Sequence, residues 1–362
     1  MALPFRTRLI ALVSTMVVAL ALLGGAVVRA NDASSLPPIQ ADLLLANVAD
    51  ALAQPFTIAG DVQTHLDLGL PELPAGVGGA GLGGDAGVIA MLGGTQRFRV
   101  WHSADGIRIA QITQVSERDL VVNRREAWWW DAATMEATKV DFAALGKGMV
   151  PVPGGPALGP AGAVAMDPVT AARRGIEALA PFASVAVEGT GEVAGRAVYD
   201  LVLTPLSDRT LIGSVELSID AETWLPLRFQ VIARADGEAA MSAGFTSVSY
   251  DAIDPAVFEF SAPPGAEVLD GLAGVKDILK GEGPRVAPIG DHGGPTPKVF
   301  GEGFESRVAI PLRDGLPAEL APLLPYAGPL FSVMETGSGQ DRWLLIGAVP
   351  VDVLQGDAAT LP

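Results

Sequence analysis

Between residues 56 and 250 the chain repeatedly alternates polar and apolar residues one by one, and this restricts its fold more than any other feature. "QRFRVW" sets Phe98 and Val100 against Arg97 and Arg99. "GSVELSID" sets Val215, Leu217 and Ile219 against Glu216, Ser218 and Asp220. "WLPLRFQVIAR" sets Leu225, Leu227, Phe229 and Val231 against Pro226, Arg228 and Gln230. A helix would scatter these side chains around its axis. A strand sends them to one face, so the pattern predicts antiparallel strands with one apolar and one wet surface. Further strands are predicted over 56–68, 106–115, 118–124, 126–131, 135–140, 185–193, 196–204 and 242–250, with hairpin turns at Asp105-Gly106 and Gly195.

Two segments keep helical spacing instead. "IQADLLLANVADALAQ" (39–54) places Leu44, Leu45, Val48, Ala49 and Leu52 on one face and is stopped by Pro55. "DPVTAARRGIEALA" (167–180) begins with Asp167 as N-cap and Pro168 at the first helical position. Gly/Pro-rich stretches occupy 69–94 and 146–166. A third, 262–303, reads as a linker with a short helix at 268–280. After it come a strand (304–312), a helix (316–324) and two strands (329–335, 342–349). The predicted organisation is an export segment at 1–30, a strand-rich domain at 36–262, a linker at 263–303 and a small α/β segment at 304–362.

The export segment follows from Arg6 and Arg8 preceding the uncharged run Leu9 to Val28. Val28-Arg29-Ala30 offers small residues at a cleavage site. The run is also long enough to remain as an anchor, and both outcomes stay open. Either one places the bulk of the chain outside the cytoplasm, because the positive charges lie on the inner side.

The formal net charge of −17 sets the surface against phosphate backbones and disfavours nucleic acid as a partner. The absence of cysteine removes disulfides, thiolate metal sites and thiol nucleophiles. Two overlapping G-x-G-x-x-G matches (Gly76/Gly78/Gly81 and Gly79/Gly81/Gly84) lack the strand and helix that a dinucleotide site needs, so they read as loop. Val77, Leu82, Val88, Ile89 and Leu92 would let this loop serve as an apolar lid. His65, His102 and His292 are scattered. Gly337-Ser338-Gly339 falls in a hairpin turn, and Asp220 and Glu222 read as ordinary turn acids. No catalytic residues, metal ligands or cofactor follow, and the chain is expected not to be an enzyme.

"REAWWWDAATMEATKVD" (125–141) holds three of the six tryptophans. On a strand, Trp128 and Trp130 point one way and Trp129 the other. Arg124 and Arg125 beside them suggest a stacking surface for single strands, which the acidity opposes. Core packing, or the wall of a cavity under a curved sheet, remain as readings.

These residues resemble the strand-turn-strand of the LolA-like lipoprotein-carrier family at Trp128, Trp130, Asp131 and Thr138. "AVYDLVLTP" (197–205) and "LSIDAETWLPLRFQV" (217–231) resemble two further strands of that family, in the same order. The likeness covers about 40–262 and is nearest in form to exported LolA/RseB-like proteins of GC-rich Gram-positive bacteria. It implies an α+β fold, an unclosed antiparallel β-barrel of about eleven strands with helices plugging the concave face, here followed by the small C-terminal α/β segment. It also implies a carrier of lipid or lipoprotein acyl chains. The alternative is an RseB-like envelope-stress regulator that senses lipid and binds a membrane anti-sigma factor. The expected cavity lining is Trp128 and Trp130 with Phe98, Val100, Leu201, Leu203, Leu217, Ile219, Phe229, Val231 and Phe245. Membrane contact is expected only through residues 9–28, if uncleaved. Burial of an acyl chain yields about 0.8 kcal/mol per methylene, so an unaccompanied chain cannot cross water freely.

Overall fold

The computed structural model describes residues 36–67, 69, 94–112, 116–145, 177, 179–271, 297–312, 324–339 and 341–361. Residues 9–28, the 69–94 and 146–166 stretches and the helix at 316–324 lie outside them wholly or almost so, as does most of the helix at 167–180.

Helix α1 (Ala41–Ala53) leads into twelve strands of one sheet. These are β1 (Ile58–Leu66), β2 (Gly94–Ser103), β3 (Gly106–Ile112), β4 (Glu117–Asn123), β5 (Glu126–Asp131) and β6 (Glu136–Asp141). Then follow β7 (Ala183–Val193), β8 (Arg196–Pro205), β9 (Ile212–Asp220), β10 (Pro226–Ala233), β11 (Ala239–Ser249) and β12 (Glu267–Asp270). Their order is β12-β6-β5-β4-β3-β2-β1-β11-β10-β9-β8-β7, so that β12 and β7 are its edges among the described residues and are not joined to each other. All neighbours are antiparallel except β12 and β6. A smaller sheet, ordered β13-β14-β17-β16-β15, follows. It contains β13 (Lys298–Phe300), β14 (Arg307–Leu312), β15 (Tyr326–Ala327), β16 (Ser332–Thr336) and β17 (Arg342–Gly347), with helix α2 (Val351–Ala358) behind it.

The large sheet is curled. Val193 and Val198, at the tip of the β7–β8 hairpin, pack in one cluster with Val62, Val100 and Phe245, although three strands separate β7 from β11 in the order. Glycines permit the close approach. At Gly60, a Cβ would lie 2.0 Å from the Ser247 carbonyl oxygen and 2.9 Å from the Phe245 ring. This is the unclosed half-barrel expected, and α1 lies on its concave face. Leu44 and Val48 of α1 are buried against Tyr199, Leu201 and Ile219 of β8 and β9. Pro55 follows as the stop.

Two expectations need correction. The segment 268–280 does not begin as a helix. Glu267–Asp270 forms β12, because the chain crosses the outer face at 258–266 and meets the free edge of β6 running in the same direction. The large sheet therefore extends past 262, and the small one begins at Lys298 instead of 304. The second unit is held to the barrel by the 207–211 loop. There the Leu211 N–H and the Thr210 hydroxyl both donate to the Ala348 carbonyl at 2.9 Å. Ser207 donates to Glu305, and Arg209 lies 3.7 Å from the same carboxylate.

Candidate functional site

Cross-strand register decides which side chains share a face. One row runs Val100–Ile109–Leu120–Trp129–Thr138 across β2 to β6. The next runs Ile58–His102–Ile107–Val122–Ala127–Val140. On the other side of β1, Leu201–Leu217–Phe229–Ala243 and Leu203–Val215–Val231–Met241 form two more rows. Phe98 and Phe245 both pair with Val62. Nine of the eleven expected lining residues, Phe98, Val100, Leu201, Leu203, Leu217, Ile219, Phe229, Val231 and Phe245, therefore lie on the concave face with α1.

Trp128 and Trp130 do not. They pair with Val121 and Asp119 on the outer face, where Phe260, Ala262 and Ala266 cover them. Ring centroids of Trp128 and Trp130 lie 5.4 and 6.1 Å from Phe260, and the indoles are only 7% and 6% exposed. Trp128 Nε1 donates to Glu126 at 2.8 Å, and the Lys139 ammonium stands 5.0 Å above its ring. These two rings are structural packing between the sheet and the strap at 258–266. Trp129 is the tryptophan of the concave face, and it is 45% exposed.

The concave face has two halves. Over β7 to β10 helix α1 covers part of it: Tyr199, Leu201, Ile219, Leu227, Phe229 and Val231 are buried and Val185, Val187, Leu203, Val215 and Leu217 half-buried, and Tyr199 stacks parallel to Trp224 at 6.2 Å and donates its hydroxyl to Pro37. Over β2 to β6 the apolar rows are only half-buried at Ile107, Ile109, Leu120 and Val122, and they end at exposed Trp129. Five strands at about 4.8 Å spacing make this shelf roughly 19 Å wide. Its outer border is polar: Gln111 donates to Gln96, and Arg118 pairs with Asp131 at 2.7 Å. His102 closes the inner end, stacked on Phe56 at 4.2 Å, and its burial holds its pKa below the usual imidazole range. A separate cleft of about 480 Å³ belongs to the outer face, where Gln63, Arg97 and the Asp61–Arg99 ion pair point by register, and Thr246 also lines it.

Sequence reasoning missed Ile109, Leu120 and Trp129 as members of this surface. The two-residue hairpin loops at 104–105 and 124–125 carried the signal. They pair Ser103 with Gly106 and set β4 against β5, which puts Trp129 in the row of Val100. Among the described residues, no group of three His, Asp or Glu side chains is placed to hold a metal ion. None of the helices described is long and apolar enough to cross a membrane.

No family model and no curated protein matches this sequence. Among solved structures, the chain overlaps the MucA/MucB complex of Pseudomonas aeruginosa at 15% identity and a TM-score of 0.46, covering 88% of this chain and 96% of that one. A LolA superfamily protein from Nitrosomonas europaea matches at 8% identity and a TM-score of 0.21, covering 62% and 99%. A lipoprotein-sorting protein domain from Vibrio parahaemolyticus matches at 9% and 0.21, covering 58% and 93%. Such scores mark partial overlap of chain paths, and the site rests on its own geometry.

Proposed function

We propose that this is an exported, non-enzymatic protein that holds a lipid or the acyl chain of a lipoprotein on the open half of its concave face. The apolar shelf ending at Trp129 carries the reading. A sheet face of branched aliphatic side chains around a half-exposed indole is costly to leave in water and suits an alkyl chain. Its polar border at Gln111, Arg118 and Asp131 suits a headgroup at the rim. Titration with a dansyl-labelled fatty acid tests this. Saturable binding of one probe per chain, with a blue shift on entry, is expected. Fluorescence that rises without saturation would remove the reading.

A second reading is supported by the C-terminal unit. An RseB-like regulator needs a surface for a membrane-bound anti-sigma factor, and among the described residues β13 is an edge strand whose Val299 is 69% exposed. Such an edge accepts an extended peptide by strand addition. In this reading the shelf is the sensor and the second unit is the docking module.

A further inference from the structure

Helix α1 leaves part of the concave half over β7 to β10 uncovered. Half-buried Leu217 joins two apolar clusters, the one under α1 that contains Leu44, Val48, Leu201 and Ile219 and the one of Phe229, Val231 and Ala243. A second cover is Leu330, which comes from the other unit, on the turn between β15 and β16. It packs against the cluster of Phe229, Val231 and Ala243 and is itself half-buried.

The turn is built to present this one side chain. Gly328 N–H donates to the Phe331 carbonyl at 3.0 Å, and the Tyr326 and Phe331 rings meet at 5.2 Å. A Cβ on Gly328 would lie 2.0 Å from the Tyr326 hydroxyl, so any larger residue there would push the Tyr326 ring aside. The same hydroxyl is buried with no hydrogen-bond partner among the described residues. An unsatisfied buried hydroxyl penalises the docked turn, and release rehydrates it. The docked state is therefore one that a better apolar occupant can displace.

We infer that the surface under Leu330 is the terminal alkyl subsite of the concave face, and that Leu330 is a built-in occupant which an entering acyl chain displaces. The chemistry admits only hydrocarbon, since Val215, Leu217, Phe229, Val231, Met241 and Ala243 offer no polar side-chain group. The unit carrying Leu330 is also held through Ala348 and Glu305 to the 207–211 loop, so loading the barrel loosens one of the attachments of the second unit. This inference rests on the acyl-binding reading and adds where the chain ends and what its arrival moves.

The chain has no cysteine, so Leu330→Cys carries the only thiol. Its modification by a maleimide is expected to speed up several-fold when the dansyl fatty acid saturates the protein. Leu330→Ala is expected to bind that probe about three- to ten-fold more tightly, because the competing docked state is weakened. Thermal unfolding of both variants checks that the barrel remains folded. If wild type binds the probe, yet the thiol reacts at the same rate with and without it and Leu330→Ala binds no tighter, Leu330 is no occupant and the acyl-binding reading stands without it. If wild type binds no probe, that reading falls and this inference with it.

Discussion

Replacing Trp129 with alanine is expected to weaken acyl-probe binding by about ten- to fifty-fold while changing stability by less than about 0.5 kcal/mol. Replacing Trp128 or Trp130 is expected to do the reverse. Trp129 stands 45% exposed at the end of the concave rows, so its removal deletes contact area that only a guest uses. Roughly 60–90 Å² of lost apolar contact at about 25 cal/mol per Å² gives on the order of 1.5–2.3 kcal/mol, which sets that range. Trp128 and Trp130 are buried beneath Phe260, Ala262 and Ala266. Truncating either leaves a void the size of an indole, costing about 3–5 kcal/mol. At Trp128 the bond to Glu126 and the contact with Lys139 are lost as well. Urea unfolding and probe titration on the same three variants separate the roles. Equal effects of all three on both measurements would show that the faces of β5 are wrongly assigned.

Asp220→Asn is expected to be the most damaging polar substitution, at about 3–5 kcal/mol near neutral pH. The carboxylate is fully buried and accepts five hydrogen bonds. Arg196 Nε and Nη2 donate at 2.7 and 3.1 Å, the Tyr250 hydroxyl at 2.9 Å, and the Glu222 and Thr223 amides at 2.8 Å each. It ties the β8 hairpin, the β9–β10 turn and the end of β11 together. Burial raises the pKa of such a group. Arg196, the two amides and Tyr250 outweigh that and hold it at about 2, against 3.8 for the free side chain. Tyr250, buried beside that charge, is pushed up to about 12. A depressed carboxylate pKa stabilises the fold fully above the unfolded value and loses that stabilisation as pH falls from about 5 towards 2. The lost portion is about 2.4 kcal/mol at 1.36 kcal/mol per unit. The stability gap between wild type and Asp220→Asn should therefore narrow by about 2 kcal/mol between pH 6 and pH 2, where the folded-state carboxyl is half protonated. A gap independent of pH would mean that the charge contributes nothing.

Both predictions concern residues that the sequence presented misleadingly, and for the same reason. Alternation fixes the side-chain parity within a strand, so β5 was located to the residue at 126–131 and Trp129 was separated from its neighbours. Parity alone does not say which set faces the core. That depends on register carried through successive hairpins, and Trp129 joins Val100 only after three strand pairings. Asp220 looked like any turn acid because Arg196 and Tyr250 lie 24 and 30 residues away in sequence. The concave rows of β8 to β11 were legible, since long runs such as "LSIDAETWLPLRFQV" keep their period across a turn. β12 was not. It is four exposed residues held by a parallel edge pairing, with no apolar pattern of its own. Helix α2 was missed because it is eight residues long, contains Gly356 and buries only Leu354.

The central claim is that a half-open sheet carries an apolar surface reserved for a guest. Native mass spectrometry of the protein, purified from cells without detergent, measures this most directly. A population heavier than the bare chain by one lipid or acyl species is expected, lost after organic extraction and depleted in Trp129→Ala. A single mass equal to the polypeptide, with no fatty acid released on extraction, would contradict the account.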